Sequence, residues 1–216
     1  LFIWILKAVN LAIESVLWAK ASTLFKLLFK VSAVTAGILC SCEDEMLNSL
    51  AKFSRSLGMA FQIQDDILDY YGDENLTGKR LGKDFEEGKF TLPIIIALKE
   101  NNEENQNKIL SLFQKGQKKD FLKILSLLDK GNVQDNTRQI YNFYSDECMK
   151  ELNNIPQNSY KEALEDIVCN LGSRLTWYSI LTFDVSYSHY LGGKMAFLAK
   201  NSYNKEEILN CAEGNL

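Results

Sequence analysis

GMAFQIQDDILDYYGDENLTGKRLGKDFEEGKFTLP, residues 58–93, is the stretch on which the reading of this chain turns. It opens as an apolar run and becomes acidic at Asp65, Asp66 and Asp69. Lys79, Lys83 and Lys89 then follow among Gly72, Gly78, Gly82 and Gly88. Carboxylates at i and i+4 of a helix lie one above the other, so Asp65 and Asp69 share a face and Asp66 sits beside them, within i+3 reach of Asp69. Charges so close repel unless a cation lies between them. Mg²⁺ suits such a place, because it takes hard oxygen ligands and is shared between one or two carboxylates and substrate phosphates. The lysines supply the complementary charge for a polyphosphate. An acidic triplet alone is more often a solvated helix face. Leu57, Phe61, Ile63, Ile67 and Leu68 around it favour a helix lining a closed cavity instead, and Gln62 adds a polar amide on the same side.

The order of these residues resembles the second aspartate-rich region of the trans-isoprenyl diphosphate synthases (polyprenyl synthetases). The matching elements are Phe61-Gln62, Asp65-Asp66-Ile67-Leu68-Asp69, Gly78-Lys79, Gly82-Lys83-Asp84, Gly88-Lys89 and Thr91-Leu92-Pro93. Upstream, Lys20-Ala21-Ser22-Thr23-Leu24-Phe25 resembles the family's Lys-Thr-Ala-x-Leu-Phe helix, with Ala21 where a threonine is usual. Downstream, Leu164 to Arg174 resembles the helix that closes the domain. The resemblance implies an all-α, isoprenoid-synthase-type bundle that here lacks its N-terminal helices. Residues 1–181 would form the C-terminal part of the domain, and 182–216 an atypical tail of unknown role. Gly192-Gly193-Lys194 in that tail looks like a family diphosphate motif, but its position and Met195 argue against it.

The same resemblance implies a Mg²⁺-dependent transferase of isoprenoid biosynthesis that condenses an allylic diphosphate with isopentenyl diphosphate. By similarity, Asp65, Asp66, Asp69, Lys20 and Lys79 are the catalytic set. Lys20, Lys79 and Lys89 would hold the allylic diphosphate, with Gln62 facing the reacting carbons or the diphosphate and Phe61 walling the hydrocarbon cavity. Asp65, Asp69 and Asp84 are the metal candidates, Asp65 first; Asp66 and Asp84 would act through water or by orienting a lysine. A homodimer is implied as well. The family pairs two aspartate-rich helices across its cavity, and no second Asp-Asp-x-x-Asp occurs in this sequence. With Leu rather than Met at position 1, the expectation is an upstream portion that carries it, and no prenyl transfer by these 216 residues alone. The alternatives are a non-catalytic partner subunit of such an enzyme, or a Mg²⁺-dependent terpene cyclase, although the Asn/Ser/Glu triad of the cyclases is not found.

Composition sets the remaining limits. The chain is 46% apolar and 24% charged with a net charge of −4, which disfavours attraction to nucleic acid or acidic membranes. Five cysteines without zinc-type spacing read as reduced, mostly packed thiols of a reducing compartment, hence a cytoplasmic location. The single histidine, His189, argues against histidine-based catalysis. Lys7, Asn10, Glu14 and Ser15 interrupt the apolar opening too early for a membrane span of ~20 residues, so it reads as a core helix. Two prolines, Pro93 and Pro156, leave nearly everything free to be helical. Helices are expected near 3–18, 20–40, 45–71, 90–100, 104–114, 118–129, 133–153 and 159–181, with a loop at 72–89. Leu24, Leu27, Leu28, Val31, Val34 and Ile38 predict a buried stripe on the second of these.

Overall fold

The computed structural model describes residues 26–77 and 80–173, which contain helices and no strand. Helix α1 covers 26–39 and α2 runs from Asp44 to Tyr71. Two single-turn helices follow, α3 (Glu74–Thr77) and α4 (Lys83–Glu86), then α5 (Leu92–Glu100) and α6 (Glu103–Lys115). A 3₁₀ turn at Lys118–Asp120 leads into α7 (Phe121–Asp129), and α8 (Val133–Leu152) and α9 (Ser159–Ser173) complete the bundle.

Helix α2 organises the rest. Its 28 residues span about 42 Å at the α-helical rise. Leu50, Phe53, Leu57, Ala60, Ile67 and Tyr70 fall at alternating three- and four-residue intervals, apart from the longer step between Ala60 and Ile67 that Ile63 fills, and all are buried. That stripe packs chiefly on α8, which presents Val133, Tyr141, Cys148 and Leu152. The Cys148 thiol donates to the Phe53 carbonyl (3.7 Å), tying the first half of α2 to the last turns of α8. Each fully buried Leu, Ile or Phe contributes roughly 1.5–3 kcal/mol of transfer free energy, so this one interface outweighs any single polar contact in the protein.

Helix α5 is apolar on every side as far as Leu98. All residues from Leu92 to Leu98 are buried, and the helix meets α2, α6, α7 and α8. Pro93 sits in its first turn, where the missing N–H costs nothing. Helix α6 is more polar, yet it still buries Ile109 and Phe113.

The structure departs from the sequence reading in two places. The α1 stripe is not buried: Leu27, Leu28, Val31 and Ile38 are between 53% and 60% exposed and Leu39 is 78% exposed. The helix instead turns its small residues Ala33 and Gly37 inward, Gly37 close against Leu47 and Leu50. Leu24, like the expected helix at 3–18 and the tail, lies outside the described residues. The loop expected at 72–89 contains α3 and α4, because α4 is capped by a residue far upstream. Among the described cysteines, Cys148 is buried, Cys40 and Cys42 are half-buried, Cys169 is exposed, and none is in a disulfide. No helix among the described residues is long and apolar enough to cross a membrane.

Candidate functional site

The last two turns of α2 sort their side chains by face. Ile63, Ile67 and Tyr70 point into the core together with Asp66, which is 0% exposed. Asp65, Leu68 and Asp69 lie on the neighbouring face and line a cleft of about 580 Å³. Its other wall is the returning segment, with Arg80, Leu81, Lys83, Asp84, Glu86, Glu87 and Lys89. Acidic helix and lysine-bearing loop thus close on one space.

Local hydrogen bonds explain why the loop returns there. Helix α2 stops at Gly72, whose N–H donates to the Leu68 carbonyl (3.1 Å). Ten residues on, the Gly82 N–H donates to the Asp69 carbonyl (2.8 Å). Gly82 has φ +73°, and a Cβ there would stand 2.5 Å from the Phe121 ring. The Asp69 carboxylate then accepts from the Lys83 N–H (3.1 Å) and the Asp84 N–H (3.0 Å), satisfying the first two amides of α4. A carboxylate at a helix N-terminus is favoured by the free amides and by the helix dipole. The Lys89 N–H donates to the Asp84 carbonyl (2.8 Å), which brings the chain back across the cleft.

Charge pairing fills in the loop. Lys89 Nζ reaches Asp84 Oδ1 (3.2 Å) and Glu87 Oε2 (2.5 Å), and Lys83 Nζ lies 3.7 Å from Glu87. Arg80 pairs with Glu86. The bond to Glu87 holds the Lys89 ammonium above its ordinary pKa. Burial, and then the neighbouring charge of Asp84, push Asp69 up to about 6 against the pull of its two backbone amides and of Lys89. Like-charge crowding of this kind is what a bound cation relieves.

Asp66 has a different setting from its neighbours. Its Oδ1 accepts from the Gln62 carboxamide (2.7 Å) and its Oδ2 from the Leu92 N–H (3.0 Å), which ties the carboxylate to the start of α5. Phe61, half-buried, packs on Phe29 of α1 with ring centroids 5.8 Å apart. Of the residues expected at the site, Asp65, Asp69, Asp84 and Lys89 come together in the cleft; Gln62, Phe61 and Asp66 do not line it. Lys20 and Lys79 lie outside the described residues. The sequence reading passed over Arg80 and Glu86, whose signal was opposite charge six residues apart within the glycine-rich loop.

The donor set fits a shared divalent cation. Among the described residues no three His, Cys, Asp or Glu side chains are grouped tightly enough to hold a metal by themselves. Asp65, Asp69 and Asp84 on one cleft nevertheless supply the hard oxygens that a divalent cation takes.

Comparison with known proteins identifies relatives of the chain in sequence and in fold. The sequence profile of the polyprenyl synthetases matches residues 14–128. The octaprenyl diphosphate synthase of Escherichia coli (strain K12) is 33% identical over 138 residues, 63% of this chain and 43% of that protein. The geranylgeranyl diphosphate synthase of Saccharolobus solfataricus is 34% identical over 131 residues, 60% of this chain and 40% of its own length. The chain therefore spans less than half the length of these curated relatives. Among solved structures, a decaprenyl diphosphate synthase from Rhodobacter capsulatus superposes with a TM-score of 0.65 at 26% identity, covering 76% of this chain and 56% of that one. A polyprenyl synthase from Caulobacter crescentus CB15, solved with calcium and isoprenyl diphosphate, gives a TM-score of 0.58 at 29% identity, with 62% and 42% covered. Matched in sequence over more than half its length and in its helical isoprenyl synthase fold, the chain belongs to the polyprenyl synthetase family.

Proposed function

We propose that the cleft between α2 and the 80–89 loop is the diphosphate-binding side of a prenyl transfer site, acting on an allylic diphosphate and isopentenyl diphosphate. The observation that carries this reading is the facing of Asp65 and Asp69 with Lys83 and Lys89 across one cleft. Asp65 and Asp69, with Asp84 beside them, would hold Mg²⁺ shared with the diphosphate. Lys89, with Lys20 and Lys79, would bind the diphosphate oxygens. A bound Mg²⁺ supplies charge neutralisation to the departing diphosphate. The lysines add to it, and stabilisation that grows as the carbon–oxygen bond breaks is what lowers the barrier. Gln62 and Phe61 would stand on the side of the prenyl chain. A homodimer in the cytoplasm is part of the same reading.

Calorimetric titration of the 216-residue chain with inorganic pyrophosphate tests it. Pyrophosphate is expected to bind only with Mg²⁺ present, and Asp65→Asn to weaken that binding by on the order of tenfold or more, equivalent to about 1.4 kcal/mol. Binding that is indifferent both to Mg²⁺ and to Asp65 would sink the reading.

A further inference from the structure

Asp66 stands out as a buried carboxylate among Ile63, Ile67 and Tyr70. A polar group in such surroundings is tolerated only where hydrogen bonds replace its lost water. Two of them come from the Gln62 carboxamide and the Leu92 N–H, 26 residues downstream. Helix α5 begins at that amide, and its own N-cap residue, Thr91, makes no side-chain capping bond. Asp66 thus does for α5 what Asp69 does for α4 at Lys83 and Asp84. The two carboxylates are three residues apart on one helix, about 4.5 Å along its axis. Between the two fastened points runs the segment that carries Lys89.

We propose that Asp66 is a positioning residue which, with Asp69, fastens both ends of the 83–92 segment to α2 and so holds Lys89 at the cleft that Asp65 lines. This rests on the diphosphate reading of Lys89 given above. It assigns the acidic triplet divided duties: Asp66 fixes the loop from the inside, Asp65 faces the ligand, and Asp69 does both.

Two measurements on the full chain test the assignment. In amide exchange by NMR, Asp66→Ala is expected to lower protection of the Leu92 amide at least tenfold, with Asp66→Asn recovering part of it because a carboxamide oxygen still accepts. In titrations with magnesium pyrophosphate, Asp66→Ala and Lys89→Ala are each expected to weaken binding several-fold, and the double variant no further than the weaker of the two. Fully additive losses would show that Asp66 acts independently of Lys89 and overturn the proposal. Should Asp66→Ala not fold, Asp66→Asn combined with Lys89→Ala carries the same comparison. A wild-type chain that ignores magnesium pyrophosphate while Leu92 responds to Asp66 overturns the diphosphate reading and not the fastening. A chain that binds normally while Leu92 ignores Asp66 overturns the fastening and not the reading.

Discussion

Gly82 and Gly88 have nearly the same backbone conformation, φ +73° and +69°, but different surroundings. A methyl group at Gly88 meets nothing within 4 Å, whereas one at Gly82 would meet the Phe121 ring at 2.5 Å. Gly88→Ala should therefore cost only the left-handed backbone penalty, about 1 kcal/mol. Gly82→Ala adds overpacking against an aromatic ring held in the core by Phe85 and Tyr70, for a total of about 2–4 kcal/mol. Urea denaturation of the two variants distinguishes the terms, and equal midpoints would show that Phe121 yields without cost. At this same scale the sequence was only partly legible. Spacing put Asp65 and Asp69 on one face with Asp66 beside them; that Asp66 bonds to the Leu92 amide, 26 residues on, is not encoded in local spacing.

Element by element, the reading from sequence came closer. Helix α2 was expected at 45–71 and α8 at 133–153, and both are found within a residue, because their apolar periodicity is long and uninterrupted. The α1 stripe misled for a definite reason: periodicity identifies a helix's apolar face but not whether another element covers it. Helices α3 and α4 were invisible because a single turn has no periodicity, and α4 exists through Asp69. Local capping, by contrast, is readable at α6, where the Asn102 side chain accepts from the Asn105 N–H (3.0 Å). Asn102→Ala is expected to lower stability by about 1 kcal/mol. Circular dichroism melts would show this as a fall in Tm of roughly 2–4 °C for a chain of this size, and no shift would mean that α6 is held by Ile109 and Phe113 alone.

Over the whole molecule, buried ionisable groups set the response to alkali. Burial pushes Cys148 and Tyr141 each up to about 12, and raises Tyr70 well above its ordinary value. The folded state favours their neutral forms. Their contribution is intact below pH 9, where both states hold these protons, and is lost as pH rises through about 12. Stability should therefore be flat from neutral pH to about pH 9 and fall steeply above it. Helical circular dichroism and tyrosinate absorbance are expected to change together in that window. Tyr141 ionising well before the helices melt would mean that the α2–α8 interface admits water.

The uninterrupted burial of α5 has a consequence for how the chain is made. Pro93-Ile94-Ile95-Ile96-Ala97-Leu98 leaves the ribosome ahead of α8, which covers it and is complete only about fifty residues later. At ~5–20 residues per second that interval lasts several seconds, during which a short apolar segment waits without its partner. Such a segment is what aggregation and chaperone capture select. The residues that make α5 the inner wall of the finished bundle are thus a liability while the chain is still being synthesised.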